Sequence, residues 1–254
     1  YRRYGGLTQV TLRWLYRWRV RRWVGRRPQL PAAALEIGCG QGWMLQALRE
    51  RGWWVAGTER TTGSAKAAVV NGLPIFVGGL EALQPIPRFD VIILFHVLEH
   101  LADPRDTLRD CAALLKAGGR LILSVPNFHS WQARLFGSHW FHLDVPRHLY
   151  HFESRSLGRT LRRAGFEIVD MSFVSFEHDL YGWIQSFLNI LGFEQNLMTK
   201  LLMGQVSGRS SAGVVAVMAG VSAVFVVPSL LLSLCSWLTR SGAIMEVGAV
   251  KTET

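Results

Sequence analysis

Short apolar runs alternate with segments of helical periodicity between residues 32 and 175. The apolar runs have the length and composition of strands, and the segments between them place apolar residues three or four positions apart. The predicted strands are 33–37, 53–58, 74–77, 89–95, 120–125, 166–173 and, after an interruption, 243–250. The predicted helices are 41–51, 62–71, 104–116 and 154–164. Strands that alternate with helices indicate a parallel sheet covered by helices, so we expect an α/β fold with a doubly wound sheet.

The segment 9–24 has the pattern of an amphipathic helix. Its apolar positions, which fall near i, i+3, i+4 spacing, are Leu12, Leu15, Tyr16, Val20, Trp23 and Val24. Its arginines, which fall elsewhere on the helix, are Arg13, Arg17, Arg21 and Arg22. Tryptophan together with arginine suits the headgroup layer of a membrane. The alternatives are a basic helix that packs on its own domain and one that binds RNA.

An apolar insertion interrupts the α/β pattern between residues 177 and 240. Its first part is amphipathic and ends in a polar break at 194–196. Its second part has no charged residue from 210 to 239, which is long enough for a helix to cross a bilayer. We expect Pro228 to kink that helix.

The position of the insertion restricts its topology. If the strands before and after it share one sheet, the chain must enter and leave the membrane on the same side. We therefore favour a monotopic or re-entrant helical hairpin that contacts the lipid bilayer, with two full spans as the alternative. A buried core helix of a soluble oligomer is the third possibility.

Charge and cysteine content narrow the class of protein. The net charge of +10 is concentrated at the N-terminus, because residues 1–30 contain nine arginines and no acid. This placement favours a basic terminal segment that meets an anionic surface over a nucleic-acid binder as a whole. The three cysteines show neither a disulfide framework nor a zinc pattern, which indicates a reducing compartment. We expect no signal peptide, because the N-terminal segment lacks an uninterrupted apolar core.

A glycine turn, EIGCGQG, follows the first predicted strand. Glycine at such a strand-to-helix turn permits positive φ and the close approach of a ligand. The spacing differs from the dinucleotide pattern G-x-G-x-x-G, since Trp43 occupies the place of the last glycine, and no P-loop lysine follows. Glu59 ends the second strand, where a carboxylate can accept both hydroxyls of a ribose.

The stretch HVLEH, residues 96–100, matches the pattern H-x-x-E-H, which on a helix can bind zinc. That interpretation needs a long helix and a third ligand. Here the stretch follows a buried strand and is closed at once by Asp103 and Pro104. We therefore do not favour zinc hydrolysis.

The glycine turn, the acid that ends strand two and the stretches FDVIILFHVLEHLADP and LLKAGGRLILSVPN together resemble the class I S-adenosylmethionine-dependent methyltransferases. HVLEHLADP and PRHLYHF look most like the branch that includes the quinone-type O-methyltransferases. The resemblance covers about 32–173 and the last strand. It implies a Rossmann-like, seven-stranded sheet in the order 3-2-1-4-5-7-6, with the apolar hairpin inserted before the last strand and S-adenosyl-L-methionine as cofactor.

The resemblance also assigns cofactor-binding residues. It places Glu36, Gly38, Cys39 and Gly40 at the methionine end, Glu59 at the ribose, Leu80 against the adenine and His96 close to the sulfonium. The family usually has an acid near Gly79, which this chain lacks. The resemblance to the quinone-type relatives implies a divalent ion held by Glu-x-x-Glu-His, but His96 replaces the first glutamate here. We assign no metal ligand and expect Glu99 and His100 to cap and brace the helix.

A histidine-rich segment, 127–152, is too long for a simple connection and suggests a substrate lid. Methyl transfer to oxygen requires alignment and a base, and histidine titrates near neutral pH. The candidate catalytic residues are His129, His142 and His148, although several of them could instead hydrogen-bond the loop. We expect Asp144, Arg147 and Tyr150 to fix the loop or to orient the acceptor.

These patterns predict a methyltransferase at the cytoplasmic face of the inner membrane, with a lipid-linked or amphiphilic acceptor. The expected organisation is a basic helix (1–30), a methyltransferase domain (31–176), the membrane-associating insertion (177–240) and the last strand (241–254). The alternative is a methyltransferase fold that serves as a structural or assembly subunit and packs against transmembrane helices of a larger complex. An RNA methyltransferase would explain the arginines but not the insertion, so nucleic acid is not the expected partner.

Overall fold

The computed structural model describes residues 6–25, 32–83, 88–202 and 212–252. The chain forms two compact units. The first comprises residues 1–124, 158–170 and 247–254, and the second comprises 125–157 and 171–246.

Seven strands form one sheet. They are β1 (Ala33–Ile37), β2 (Trp54–Glu59), β3 (Ile75–Val77), β4 (Phe89–Phe95), β5 (Leu115–Pro126), β6 (Phe166–Ser172) and β7 (Ile244–Lys251). Their order, β3-β2-β1-β4-β5-β7-β6, is the one that the resemblance predicted. Six of the strands begin and end within one residue of the predicted bounds, so the apolar runs located them well. The Rossmann-like fold class is confirmed.

β5 is the strand whose predicted start was wrong. It begins at Leu115 rather than at Arg120, because Leu115 already pairs with Phe89 of β4. The ladder is then irregular, and it resumes where Arg120 pairs with Val91. Gly118, at φ 69°, lies in the irregular stretch. The polar residues of this bulge masked the strand in the sequence pattern.

The register brings the carboxyl ends of three strands to one edge of the sheet. Ile37 of β1 pairs with Thr58 of β2 and with Leu94 of β4, and all three strands are parallel. The residues that follow these positions therefore share that edge. In doubly wound sheets this edge binds the ligand.

The helices of the first unit cover the sheet. They are α1 (Gly6–Trp23), α2 (Trp43–Arg49), α3 (Thr62–Val70) and α4 (Pro104–Leu114), and α6 (Ser154–Arg163) begins in the second unit. Leu45 and Leu48 of α2 are fully buried in the core beneath β1 and β4, where each contributes roughly 2 kcal/mol. Asp103 caps α4 by accepting the N–H groups of Arg105 and Asp106.

The apolar side of α1 faces the protein rather than a bilayer, which corrects the interpretation of this stripe. Val20 and Trp23 are buried in the same core as α2, and Leu15 is also buried. The helix is held from outside by two ion pairs, Arg17 with Glu50 at 2.7 Å and Arg22 with Asp170 at 2.6 Å. The predicted helical periodicity was correct, but its cause is the packing of α1 against the core of its own unit.

The second unit combines the lid segment with the apolar insertion. Its helices, besides the start of α6, are α5 (Trp131–Phe136), α7 (Phe176–Ile190), α8 (Leu197–Leu202) and α9 (Ala212–Leu238). One side of α7 packs Trp183 against Phe136 and Trp140 of the lid segment. Its other side packs Ile184 and Leu188 against Met218 of α9. The predicted polar break separates α7 from α8.

α9 presents its polar residues inward and its apolar residues outward. Ser229, Ser233 and Ser236 are almost completely buried. The large apolar residues exposed on α9 are Val214, Val215, Val217, Val224, Val226, Val227, Leu230, Leu231, Leu234 and Leu238. Among the described helices, the segment Gly213–Leu238 alone is long and apolar enough to cross a membrane. Its most apolar stretch has a mean hydropathy of 2.4, and 11% of that stretch is buried within the protein.

Two full spans are not supported for the described part of the insertion. α7 has 15 residues and is about 22 Å long, which is shorter than the roughly 30 Å hydrocarbon core of a bilayer. Its two sides are also occupied by neighbours within the second unit. α9 continues through Pro228 as one helix.

Candidate active site

The glycine turn after β1 forms an open backbone surface. Gly38 adopts φ 67° and lies so close to Val97 that an added Cβ would sit 2.5 Å from its Cγ2 atom. Gly40 adopts φ 50°, and nothing lies within 4 Å of the position of its missing Cβ. Both positions favour glycine because of their positive φ. The open space at Gly40 leaves its backbone accessible to a ligand.

Glu59 is held at this turn by two backbone hydrogen bonds. Its Oε2 atom accepts the N–H of Gly40 at 2.9 Å, and its Oε1 atom accepts the N–H of Arg60 at 2.9 Å. Each carboxylate oxygen has further acceptor capacity. Glu59 therefore presents an oriented acceptor pair at the end of β2, where its spacing from the turn predicted it.

Glu36 is a buried carboxyl with an unsatisfied oxygen. Its Oε2 atom has no hydrogen-bond partner in the described part of the chain. Burial raises the pKa of Glu36 to about 8, although a hydrogen bond with the backbone of Leu45 acts in the opposite direction. A buried acceptor of this kind costs free energy unless a donor or a cation reaches it.

Cys39 lies between the two carboxyl groups as a neutral thiol. Burial raises the pKa of Cys39 to about 12, and the charges of Glu36 and Glu59 raise it further. Its sulfur would lie 2.8 Å from a Cβ added to Gly57 of β2. Cys39 thus packs the turn against β2 and is not a nucleophile.

The loop after β3 carries an acid that the sequence analysis missed. Leu80 begins a single 3-10 turn, Leu80–Ala82, and Glu81 is the middle residue of that turn. The Oε1 atom of Glu81 accepts the N–H of Gly79 at 2.8 Å. Hydrogen bonds from its own N–H and from that of Gly79 lower the pKa of Glu81. An acid is therefore present near Gly79, two positions after the one where it was sought.

His96 follows β4 in a left-handed conformation, at φ 53°. Its Nε2 atom lies 3.3 Å from the hydroxyl of Ser124, and its Nδ1 atom lies 3.3 Å from the fully buried Glu99. Residues Leu98–His100 form one 3-10 turn instead of an α-helix. The H-x-x-E-H pattern therefore lacks the helix that a zinc hydrolase needs.

Comparison with known proteins decides the family. Residues 15–171 match the family described as a methyltransferase domain. The ubiquinone biosynthesis O-methyltransferase of Xylella fastidiosa (strain 9a5c) is 30% identical over 167 residues, covering 60% of this chain and 68% of the relative. The enzyme of the same name from Pseudomonas aeruginosa (strain LESB58) is 32% identical over 167 residues, covering 59% and 71%. The chain belongs to the methyltransferase-domain family.

The fold comparison agrees with that membership. A crystal structure of a SAM-dependent methyltransferase from Archaeoglobus fulgidus has a TM-score of 0.58 and 21% identity, and the match covers 98% of this methyltransferase and 100% of that chain. This likeness extends beyond the matched domain and includes the apolar insertion in its coverage. It supports the fold, whereas the residues of the turn support the chemistry.

S-adenosylmethionine is the cofactor of this methyltransferase. The residues at the edge of the sheet fit it. The unsatisfied oxygen of Glu36 suits an ammonium group, and the acceptor pair of Glu59 suits the two ribose hydroxyls. The open backbone at Gly40 permits the approach of a ligand between them.

Arg19 is a buried cation of the first unit that sequence analysis did not single out. Only 2% of its surface is exposed. Its guanidinium lies over the rings of Tyr16 and Phe95, at 5.6 Å and 5.3 Å from their centroids. Phe95 ends β4 beside His96. A planar guanidinium in such a place is suited to bind a carboxylate. The run of nine arginines hid this one, because nothing in the pattern separates a buried arginine from exposed ones.

The three candidate catalytic histidines lie in the second unit and have different environments. His129 is exposed, and both of its ring nitrogens contact the guanidinium of Arg134. His142 is buried, with Nε2 3.4 Å from the carbonyl oxygen of His178. The Nδ1–H of His148 donates to the carbonyl oxygen of His142 at 2.8 Å. His142 and His148 thus help to shape the lid segment.

Proposed function

We propose that this methyltransferase transfers a methyl group to a hydroxyl oxygen of an amphiphilic, quinone-precursor-type acceptor at the membrane surface. The observation that carries the transfer is the pairing of an unsatisfied, buried Glu36 with the oriented Glu59 at one turn. The acceptor class is supported by the names of the two relatives, which are O-methyltransferases of ubiquinone biosynthesis.

The chain's own residues would align the acceptor and remove its proton. When bound, S-adenosylmethionine supplies a methyl group that its sulfonium makes electrophilic. Among the three lid histidines, the hydrogen bonds favour His148 as the base. Because its Nδ1–H donates to a carbonyl, Nε2 is the basic nitrogen of the ring. The carboxylate of Asp144, 4.0 Å from Nε2, would stabilise the imidazolium that forms when Nε2 takes the hydroxyl proton.

α9 supports the membrane part of the proposal. It contacts its own unit from Met218 to Trp237, a length of about 28 Å, so one side is occupied by protein over most of the helix. The other side is an apolar stripe without a polar side chain. We infer that α9 lies in the bilayer surface with this stripe in the lipid, and does not cross the bilayer as a separate span.

The proposal is tested with two acceptors that share one hydroxylated ring. One carries a polyprenyl tail and the other does not, and both are presented with phosphatidylcholine vesicles. We expect kcat/KM to be roughly 100-fold higher for the tailed acceptor, because the membrane concentrates it beside the bound enzyme. Equal kcat/KM values for the two acceptors would contradict a membrane-borne substrate.

The same assay tests the base. Replacing His148 with glutamine should lower kcat by about 100-fold while the KM for S-adenosylmethionine stays unchanged, and the rise of kcat with pH should disappear. His129→Gln is the matched control, since this histidine is exposed and contacts Arg134 instead of lid carbonyls. If His129→Gln lowered kcat and His148→Gln did not, the assignment would be reversed.

A further inference from the structure

The outward face of α1 forms a shallow groove with basic and apolar edges. Since Leu15, Arg19, Val20 and Trp23 point into the first unit, a different set of side chains faces away from it. The residues that line this groove are Val10, Arg13, Trp14, Arg17, Trp18 and Arg21. Positions 10, 14 and 18 follow one helical row, and positions 13, 17 and 21 follow the adjacent row. The groove therefore has an apolar row beside a basic row.

The basic row carries two positive charges that have no ion-pair partner in the described part of the chain. Arg17 forms an ion pair with Glu50, and Arg22, beside the groove, forms one with Asp170. Arg13 and Arg21 have no ion pair with any residue that the structure describes. α1 itself contains no acid. Two arginines eight positions apart thus point outward with their charges available to an anionic partner.

The apolar row is exposed to an unusual degree for its composition. Val10 and Trp14 are each 63% exposed. A tryptophan that is exposed to water does not improve solubility. The headgroup layer of a membrane, in contrast, accommodates both its indole ring and the guanidinium groups of the neighbouring arginines. The opposite side of α1 is already packed, so this face is preformed and needs little ordering on binding.

We propose that the outward face of α1 binds the anionic headgroups of a lipid bilayer. The positive charge of Arg13 and Arg21 complements lipid phosphates, and Trp14 and Val10 insert between the headgroups. The inference extends the proposed function, on which it rests for the presence of a membrane. It adds a preference for anionic lipid that α9, which has no charged residue, would not create.

Lipid is favoured over nucleic acid because of what surrounds the groove. A nucleic-acid surface is expected to continue its basic charge over neighbouring elements. Here Glu50, the residue that follows helix α2, lies at the edge of the basic row and pairs with Arg17.

The test is flotation of the full chain with two kinds of vesicle. One is phosphatidylcholine alone, and the other contains about 30% phosphatidylglycerol. The variant Arg13→Gln/Arg21→Gln removes the two unpaired charges. The matched control, Arg155→Gln/Arg159→Gln, removes two exposed arginines from α6 and changes the net charge equally. Neither pair belongs to the proposed catalytic or cofactor-binding residues.

We expect wild-type protein to bind the anionic vesicles more tightly than the neutral ones, and the difference to shrink at about 0.5 M salt. The Arg13→Gln/Arg21→Gln variant should lose about 25-fold in affinity for the anionic vesicles, at about fivefold for each arginine, and bind neutral vesicles like wild type. The control variant should lose less than twofold. Methyl transfer to a detergent-solubilised acceptor should be unchanged in both.

Equal losses in the two variants would overturn the proposal, since a net-charge effect would then suffice. So would binding of the wild type to RNA, lost in the Arg13→Gln/Arg21→Gln variant, without any preference for anionic vesicles. Failure of the proposed function is distinguishable from both. It would appear as no preference for the tailed acceptor while the preference for anionic vesicles remained.

Discussion

Replacing Asp179 with alanine is expected to lower the free energy of unfolding by about 3 kcal/mol or more, because three N–H donors would lose their acceptor. Asp179 is fully buried at the start of α7. Its carboxylate accepts the backbone N–H of Ser175 at 3.0 Å, the indole N–H of Trp237 at 2.6 Å and the backbone N–H of Ala243 at 2.6 Å. One side chain thus joins the start of α7, the end of α9 and the residue before β7.

The expected loss is smaller than three full hydrogen bonds. Burial raises the pKa of Asp179 to about 6, against the effect of the three donors, so the charged carboxylate already carries a desolvation cost that alanine removes. What remains is the cost of leaving N–H groups without partners, roughly 1–3 kcal/mol each where water cannot reach. Asp179→Asn retains one acceptor oxygen and should fall between the wild type and the alanine variant.

Urea unfolding of the detergent-solubilised protein measures this effect. Asp110→Ala is the control, because it removes a carboxylate from an exposed position of α4. A free energy of unfolding for Asp179→Ala within about 0.5 kcal/mol of the control would show that the three donors find water or other partners. The three hydrogen bonds of the Asp179 carboxylate would then not be what stabilises the insertion where α7, α9 and the residue before β7 meet.

The stability of the cofactor-free protein is expected to fall as pH rises towards 8, and Glu36 is the cause. Its folded-state pKa of about 8 lies above the ordinary value of 4.5, so the folded chain binds a proton that the unfolded chain has released. The stabilising contribution is therefore complete below pH 4.5 and is lost as pH rises to about 8. The slope should approach 1.4 kcal/mol for each pH unit between these values.

Comparison of the wild type with Glu36→Gln isolates this contribution. Between pH 6 and 8 the wild type should lose about 2 kcal/mol relative to the variant, whose amide does not titrate. Asp179, whose pKa is about 6, is present in both proteins, so its contribution cancels from the difference between them. Parallel stability curves for the two proteins would mean that Glu36 is charged and paired in the folded state.

The sequence pattern was sufficient for the parts of the site that depend on strand ends. Glu59 was predicted from its distance to the glycine turn, and the register of β1 and β2 explains why that distance brings the carboxylate to Gly40. Period-two and apolar runs locate strands well, and parallel strands bring their carboxyl ends together automatically. The candidate cofactor residues of the turn can therefore be predicted from the sequence before the fold is known.

The orientation of α1 could not be read in the same way. Two stripes contain apolar residues, one with Leu15 and Val20 and one with Val10 and Trp14, and helical period alone does not say which of them is buried. Arg19 belongs to the buried side, although arginine is rarely buried. Only the packing partners, α2 and the sheet, distinguish the two faces. The apolar stripe that was predicted to meet a membrane is therefore the one that packs against the domain.

The lid histidines show a second limit of the pattern. Their abundance predicted catalytic candidates, but the fold uses His148 and His151 as donors to lid carbonyls, at 2.8 Å and 2.9 Å. A structural and a catalytic role give the same composition. The two roles differ only in the hydrogen-bond partners of the histidine, and the spacing of residues in the sequence does not reveal these partners.

The central claim is that the edge of the sheet at Glu36, Gly40 and Glu59 binds S-adenosylmethionine. Calorimetric titration of the detergent-solubilised protein with S-adenosylmethionine tests it most directly, with Glu59→Ala as the variant and Asp110→Ala, which removes an exposed acid of α4, as the control. The account predicts one site per chain with micromolar affinity in the wild type and the control, and a loss of about 100-fold in Glu59→Ala, as expected for removal of a charged acceptor. Folded wild-type protein that takes up no S-adenosylmethionine, or a Glu59→Ala variant that binds it as tightly as the control, would contradict the account.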